Sequence, residues 1–212
     1  MAISIGIIGS GDVGKQLAAG LHKHGYSVTI GTRDPAKLAD FGASTGVAVA
    51  TFAGACAGAD AVILAVGGAV AEGLVRDLAG DLAGKIVLDA TNPIAGPPVG
   101  GILPLFTGPN ESLMERLAAA APQARFVKAF SCVGNHFMID PAFAGGKPTM
   151  FICGDDADAK AFTQDLLAEV GWDAEDVGGN AGARAIEPLV MLWCARGFLH
   201  GKWAHAFSLL RA

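Results

Sequence analysis

The chain has 212 residues, of which 52% are hydrophobic and only 17% are charged. This composition excludes intrinsic disorder, which requires low hydrophobicity together with high net charge. The formal net charge is −5, and no run of Lys or Arg provides a basic patch for nucleic acid or an anionic membrane. We therefore expect a globular protein with a buried core of its own, without nucleic-acid or membrane partners.

The cysteines and histidines favour neither a disulfide framework nor a metal centre. No two cysteines form a CxxC pair, which favours reduced thiols in a cytoplasmic protein. The chain begins without a basic n-region, so no secretory signal is predicted. His200 and His205 are five residues apart, a poor metal spacing without carboxylates nearby. The uncharged stretch 90–110 is long, but its five prolines predict a loop rather than a membrane span.

Short apolar runs alternate with helical stretches along the chain. Eight runs predict strands: Ile3–Ile8, Tyr26–Gly31, Val47–Thr51, Ala61–Val66, Ile86–Ala90, Arg125–Phe130, Thr149–Cys153 and Asp173–Val177. Helices are predicted near 12–24, 35–41, 70–79, 111–121 and 157–170. This alternation predicts an α/β fold of the Rossmann type, with a doubly wound, mostly parallel sheet and extra C-terminal strands, as a single domain over residues 1–212.

The C-terminal segment, residues 183–212, has a different composition. Through Leu210 its charged residues are confined to Arg184, Glu187, Arg196 and Lys202, so we predict one long helix that is apolar nearly all the way round. Such a helix is normally covered on most sides. We therefore expect it to lie at or beside the interface of a homodimer.

The segment Gly9-Ser10-Gly11-Asp12-Val13-Gly14 is a G-x-G-x-x-G motif between the first predicted strand and the first predicted helix. In this setting Gly9 permits a tight turn, Gly11 lets a pyrophosphate approach the backbone, and Gly14 lets helix and strand pack closely. The helix N-terminus then favours the phosphates. The motif predicts a dinucleotide-binding loop.

The end of the second strand indicates which dinucleotide binds. Thr32 lies 18 residues after Gly14, and the acidic residue that usually holds the ribose of NAD is missing at this point. Arg33, Thr32 and Lys37 supply a guanidinium, a hydroxyl and an ammonium, which suit a 2′-phosphate. Asp34 is expected to cap the helix that begins at Pro35. We predict NADP(H) rather than NAD(H).

Further cofactor contacts are expected where later strands end, because ligands of open α/β sheets bind there. These candidates are Val66, Gly67 and Gly68 after the fourth strand, Asn92 and Pro93 after the fifth, and Ser131, Gly134 and Asn135 after the sixth. Ser131 and His136 are weak candidates for catalysis. Otherwise the spacing reveals no catalytic set of polar side chains.

Six segments of the chain together resemble a known family. They are IGIIGSGDVGKQLA, TIGTRDPAK, VLDATNPI, FVKAFSCVGNHFM, FICGDDADAK and ARAIEPLVMLWC. In order and coverage they resemble the coenzyme F420-dependent NADP oxidoreductases and the related cytosolic domains of the STEAP ferric reductases. The resemblance implies a Rossmann domain, often dimeric. It also implies NADP held by the glycine loop, with Ser10, Thr32, Arg33 and Lys37 around the adenosine phosphate and Asn92 nearer the nicotinamide.

The sequence departs from the family at two places. Ser131 stands where the family's KAFN-like segment has Asn, and the proline-rich loop 96–109 does not match the archaeal deazaflavin enzymes. We predict an NADP(H)-dependent oxidoreductase that transfers a hydride to or from a redox coenzyme, either deazaflavin F420 or a flavin. Two alternatives stay open. One is an NADP(H)-binding sensor or regulatory subunit, and the other is a small imine or carbonyl reductase, whose relatives carry an additional helical domain.

Overall fold

The computed structural model describes residues 3–210 and contains every strand that the sequence predicts. The strands are β1 (Ser4–Ile8), β2 (Ser27–Thr32), β3 (Ala48–Thr51), β4 (Ala61–Leu64), β5 (Ile86–Asp89), β6 (Arg125–Lys128), β7 (Thr149–Ile152) and β8 (Asp173–Asp176). The first six form one parallel sheet in the order β3-β2-β1-β4-β5-β6. The predicted Rossmann-type fold is therefore confirmed.

The strands at the centre of the sheet are apolar because both faces are covered. In β4 and β5 every residue is buried, and all of them except Asp89 are hydrophobic. The register pairs Ile8 of β1 with Gly31 of β2 and with Leu64 of β4, so these strands end at the same edge. This edge is where an open parallel sheet binds its ligands.

Helices cover both faces of the sheet. They are α1 (Asp12–Lys23), α2 (Ala39–Thr45), α3 (Phe52–Cys56), α4 (Gly68–Asp77), α5 (Ala79–Leu82), α6 (Leu113–Ala120), α7 (Ala157–Glu169), α8 (Ala183–Ile186) and α9 (Leu189–His200). Short 3₁₀ turns occur at Pro35–Leu38, Asn135–Phe137 and Asn180–Gly182. The sequence did not predict α3 or α5, which are only five and four residues long.

The strands β7 and β8 form a separate two-stranded parallel sheet. An isolated bridge between Lys128 and Cys153 connects this small sheet to β6. Asp156 caps α7, since its carboxylate accepts a hydrogen bond from the backbone N–H of Ala159 at 2.7 Å. Asp156 belongs to an acidic segment, residues 155–158, and its position directly before α7 is typical of a helix cap.

The prediction of one long apolar helix at the C-terminus is wrong. The segment forms α8 and α9, and the chain from Lys202 to Leu210 contains no helix or strand. Pro188, which has no backbone N–H, separates the two helices. Gly201 ends α9 in the left-handed conformation, with φ 65°. Residues 211–212 lie outside the described part of the chain.

The helix α9 is also not apolar all round. Its exposed side carries Arg196 and His200 next to Leu192 and Leu199. After Gly201 the chain folds back along α9, and the indole N–H of Trp193 donates to the carbonyl of His205 at 2.9 Å. The C-terminal residues therefore cover part of the surface for which the sequence predicts a partner subunit.

The loop between β5 and α6 contains no strand and no helix over residues 90–112. Isolated bridges join Ile94 to Leu105 and Val99 to Ile102, so the loop folds against itself. No helix of residues 3–210 has the length and apolarity needed to cross a bilayer. The proline-rich stretch is thus a loop, as its composition predicts.

Candidate functional site

A cleft of about 940 Å³ opens where β1, β2 and β4 end. Its volume lies in the range of ordinary small-molecule sites. Its lining consists of Gly9, Ser10, Gly11, Lys15, Thr32, Arg33, Asp34, Lys37, Leu38, Phe52, Ala65, Val66, Gly67, Val70 and Leu74. Eight of the predicted cofactor-binding residues belong to it: Gly9, Ser10, Gly11, Thr32, Arg33, Lys37, Val66 and Gly67.

The glycines of the first loop meet distinct steric demands. Gly9 has a φ of 128°, which L side chains rarely adopt, and a Cβ there would collide with the carbonyl of Ala65. A Cβ on Gly14 would collide with the carbonyl oxygen of Gly9, so this glycine allows α1 to pack against the loop. A Cβ on Gly11 would meet nothing within 4 Å. Gly11 therefore faces open space, as a loop for a pyrophosphate requires.

The N-terminus of α1 points its first backbone groups towards this loop. Asp12 and Val13 begin the helix, and Gly11 is its N-cap residue without a capping side chain. The side chains of Asp12 and Val13 do not line the cleft. The contact with the cofactor that the sequence predicts for these two residues would therefore be made by their backbone N–H groups. Unpaired N–H groups at a helix N-terminus favour an anion.

A hydrogen bond joins the glycine loop to the end of β2. The hydroxyl of Ser10 donates to the hydroxyl oxygen of Thr32 at 3.1 Å. Thr32 is buried, whereas Ser10 is half-buried at the cleft surface. The two hydroxyls therefore hold the loop and the strand end together beside Arg33.

The charged residues next to Thr32 are exposed. Asp34 accepts a hydrogen bond from the N–H of Ala36 at 3.2 Å and so caps the turn that begins at Pro35, as predicted. Lys37 approaches Asp34 at 3.8 Å, with both side chains exposed. Arg33 forms no ion pair with any of residues 3–210, which leaves its guanidinium available for a ligand. Lys15 adds a third cation that sequence reasoning did not include.

Sequence reasoning also missed the apolar wall of the cleft. This wall consists of Leu38, Phe52, Val70 and Leu74. Phe52 begins the short helix α3, which was not predicted, and so its position beside the cleft had no signal in the sequence pattern. An apolar wall of this kind suits the flat face of a purine ring.

The ends of β4 and β5 approach each other closely. A Cβ on Gly68 would collide with the carbonyl oxygen of Asn92, so only glycine permits this contact. The side-chain oxygen Oδ1 of Asn92 is buried and has no hydrogen-bond partner among residues 3–210. Pro93 follows and is buried. An unsatisfied buried acceptor is costly and indicates a missing donor.

The segment after β6 has an unusual backbone. Phe130 and Cys132 have φ angles of 57° and 61°, which non-glycine residues rarely adopt. Strain of this kind is concentrated at functional sites. Ser131 between them is buried, and burial raises the pKa of the Cys132 thiol to about 12, so this thiol stays neutral.

The remaining candidates after β6 lie beyond this strained segment. Gly134 lies against the indole of Trp193, where a Cβ would be 3.3 Å from the ring. Asn135 and His136 form a 3₁₀ turn, and His136 is exposed. Two segments follow the strands β5 and β6: residues 91–93 come after β5 and residues 129–135 come after β6. We call the two together the β5–β6 loops. None of their residues lines the cleft formed at β1, β2 and β4.

The described residues fit NADP(H) on two independent observations. The space beside Gly11 accommodates a pyrophosphate, and the buried Oδ1 of Asn92 lacks a donor such as a carboxamide N–H₂ would supply. Among residues 3–210 no group of three or more His, Cys, Asp or Glu side chains is arranged to hold a metal ion.

Comparisons with known proteins place this geometry in a family. The sequence model of the family described as "NADP oxidoreductase coenzyme F420-dependent" matches residues 4–93. A protein of Arthrobacter sp. FB24, provisionally described as an F420-dependent NADP-reductase, has a solved structure that is 34% identical, with a TM-score of 0.91. The match covers 99% of this chain and 100% of that protein. The chain belongs to the coenzyme F420-dependent NADP oxidoreductase family. It is thus an NADP-dependent oxidoreductase, as the sequence predicts.

Two further relatives show how far the likeness extends. Metalloreductase STEAP3 of Rattus norvegicus is 30% identical over 188 residues, which are 89% of this chain. This chain spans only 36% of that longer protein. A reductive aminase from Aspergillus terreus shares the fold with a TM-score of 0.67 at 22% identity, covering 95% of this chain and 64% of the aminase.

Proposed function

We propose that this protein transfers a hydride between NADP(H) and a second planar redox coenzyme, a deazaflavin of the F420 type or a flavin. The observation that carries the proposal is the full-length likeness to a protein described as an F420-dependent NADP-reductase. When bound, the nicotinamide supplies the hydride chemistry itself, so the protein's task is to hold two rings at the right distance. Held by Arg33, Thr32 and the loop at Gly11, NADPH would supply a hydride and leave as NADP⁺, and the acceptor ring would take up that hydride and a proton from solvent.

In this proposal the adenosine end of the cofactor lies in the cleft. Arg33, Lys37 and Thr32 bind the 2′-phosphate, since a guanidinium and a hydroxyl suit a dianion. The α1 N-terminus and the open side of Gly11 take the pyrophosphate. The apolar wall at Phe52 and Val70 covers the adenine ring.

The nicotinamide end lies at the β5–β6 loops. Asn92 would accept a hydrogen bond from the carboxamide, which satisfies its buried Oδ1. Ser131 is buried and Gly134 lies against the indole of Trp193, so in this proposal the second ring lies outside these two residues. The acceptor binds on the open side, next to the loop 96–109. His136 is exposed and lies at the rim, where it is not required for transfer between two rings.

The test is a stopped-flow comparison with NADPH that carries deuterium at either face of C4. The protein is mixed with deazaflavin F420, FMN, FAD, a quinone, a ferric chelate, and carbonyl and imine compounds. We expect rapid oxidation with a deazaflavin or flavin and, for the deazaflavin, deuterium recovered on its C5. Turnover only with a carbonyl or imine would instead favour the reductase alternative. Tight NADPH binding with no oxidation by any acceptor would favour a sensor.

A further inference from the structure

A buried ammonium lies beneath the β5–β6 loops with no contact to solvent. The Nζ atom of Lys128 is 2.8 Å from Asp89 Oδ2, 2.9 Å from Glu187 Oε1 and 2.7 Å from the carbonyl oxygen of Thr91. All three charged residues are at most 1% exposed. An ammonium has three N–H donors, and each of them has an acceptor here. Every hydrogen-bond donor of the Lys128 ammonium is therefore satisfied within the cluster.

The two carboxylates are also fully engaged. Asp89 Oδ1 accepts hydrogen bonds from the backbone N–H and the hydroxyl of Thr91, at 2.9 and 2.6 Å. Glu187 accepts from the N–H groups of Leu113 and Met114, at 2.8 and 3.0 Å, in the first turn of α6. The cluster carries two negative charges and one positive charge. The excess negative charge faces the N-terminus of α6, where the helix dipole stabilises an anion.

The lysine remains charged in this interior. Burial by itself lowers the pKa of Lys128, but the nearby carboxylates of Asp89 and Glu187 outweigh it, and the pKa lies above its usual value. A neutral amine would leave both buried carboxylates without a cation, and its two N–H donors could not serve all three acceptors. The interactions on the three sides of Nζ are therefore charge-assisted hydrogen bonds, which are shorter and more directional than neutral ones.

Each member of the cluster adjoins a segment of the candidate nicotinamide site. Asp89 ends β5 and holds Thr91, the residue before Asn92. Lys128 ends β6, two residues before the strained segment 130–132. Glu187 follows Ile186, whose carbonyl oxygen accepts a hydrogen bond from the Cys132 thiol at 3.2 Å. The cluster thus connects the two loops with each other and with α6.

Stability alone does not explain such a cluster. Replacement of a complete buried ion cluster by apolar residues of similar volume is often neutral or stabilising, because desolvation offsets the attraction between the charges. What hydrogen-bonded charges provide and apolar contacts do not is a fixed distance and direction between backbone segments. The two loops connected in this way carry Asn92 and Ser131.

We propose that Lys128, together with Asp89 and Glu187, is a positioning group that fixes the Asn92 loop relative to the Ser131 loop and thereby orients the nicotinamide ring. The inference rests on the proposed function, since it assumes that the nicotinamide lies at these loops. It assigns no contact between Lys128 and the cofactor. A change in the cluster is expected to alter the orientation of the nicotinamide ring and to leave the binding of the adenosine half unchanged.

The test separates the two halves of the cofactor. In Glu187→Gln the shape is kept, but the amide turns an N–H towards either Lys128 or the start of α6. We expect its affinity for 2′,5′-ADP, which lacks the nicotinamide, to stay within twofold of the wild type. The fluorescence lifetime of the bound reduced nicotinamide should fall by half or more, and hydride transfer at saturating NADPH should fall at least tenfold.

The matched control is Leu167→Ala, which removes a fully buried side chain of α7 from the core. It should lower the Tm without changing the lifetime or the transfer rate at a temperature where both variants are folded. Wild-type lifetime and transfer rate in Glu187→Gln, or equal losses in Leu167→Ala, would overturn the proposal. A parallel loss of 2′,5′-ADP affinity would overturn it too, because the effect would then be general.

A second variant keeps the test decisive if Glu187→Gln does not fold. The triple change Asp89→Asn, Lys128→Met and Glu187→Gln removes every charge at once while keeping side-chain size, so no buried charge is left without its partner. The same loss of fluorescence lifetime is expected, and a wild-type lifetime would overturn the proposal. The lifetime needs no acceptor. A wild-type protein that binds NADPH but reduces no acceptor therefore contradicts the proposed function and leaves this measurement intact.

Discussion

The charged side chains at the two ends of the candidate cofactor site differ in their surroundings. At the β1–β2 end, Arg33 and Lys37 are exposed, and among the described residues Lys37 forms an ion pair only with Asp34, which is three residues away in the sequence. Beneath the β5–β6 loops, Lys128, Asp89 and Glu187 are buried and contact one another across large separations in the sequence. An exposed cation binds a phosphate that arrives from solvent, whereas a buried cluster acts on the backbone around it.

The largest effect is expected where the buried cluster is broken at its centre. Lys128→Ala leaves two buried carboxylates without a cation and should cost about 3 to 5 kcal/mol of the free energy of unfolding. Urea unfolding followed by circular dichroism measures the loss. Lys147→Ala, at the exposed pair with Asp173, is the control and should leave the unfolding midpoint nearly unchanged. Similar midpoints for the two variants would contradict the distinction between buried and exposed charges.

Arg33 tests the opposite end. Arg33→Ala should weaken NADPH binding by about 1.5 to 3 kcal/mol, the range for a hydrogen bond to a charged group, and leave NADH binding nearly unchanged. Calorimetric titration with both cofactors measures the difference. The free energy of unfolding should not change, since the side chain is exposed and unpaired among residues 3–210. Equal losses for NADPH and NADH would show that Arg33 does not bind the 2′-phosphate.

Smaller effects are expected for the polar side chains of the β5–β6 loops. Ser131→Ala and His136→Ala should each lower turnover by less than about 100-fold, the low end for lost acid–base catalysis. Steady-state rates at saturating NADPH measure this. If His136→Ala abolished turnover while NADPH affinity held, His136 would be a proton donor to a carbonyl or imine, and ring-to-ring transfer would be wrong.

The homodimer stays a prediction. The surface expected to form its interface is the exposed side of α9 together with the neighbouring loop 96–109. Leu192 and Leu199 of α9 are 63% and 55% exposed, and Val99 of the neighbouring loop is 76% exposed. Light scattering at micromolar concentration should give twice the chain mass of 21.4 kDa. Leu192→Glu should shift the mass towards the monomer and leave 2′,5′-ADP affinity unchanged. A wild-type monomer that is soluble and stable would defeat the prediction.

The sequence was sufficient for features that depend on local pattern. Most strands were predicted because apolar runs recur between turn residues, and the glycine loop because its spacing has a steric meaning at Gly9 and Gly14. The helix at 183–212 was wrong because an apolar composition does not reveal a break at Pro188 or a left-handed end at Gly201. Local composition also did not reveal that residues beyond Gly201 fold back.

Contacts between distant parts of the chain could not be predicted in the same way. Lys128 and Glu187 are 59 residues apart, and each alone reads as an ordinary charged residue in an apolar stretch. Phe52 lines the cleft from a helix of five residues, which is too short to show a periodic pattern. Both depend on how β5, β6 and the later helices pack, and a single sequence carries no signal for that packing.

The position of Trp193 provides the protein with an optical probe of its own. The indole stacks on His205 at 4.9 Å, and its ring lies against Gly134 in the β5–β6 loops. Indole emission overlaps the absorption band of a dihydronicotinamide, so excitation energy can pass from Trp193 to a reduced cofactor bound nearby. Quenching of indole emission should therefore distinguish NADPH from NADP⁺ without any label, and Trp193→Phe should reduce that difference to the part contributed by Trp172 and Trp203.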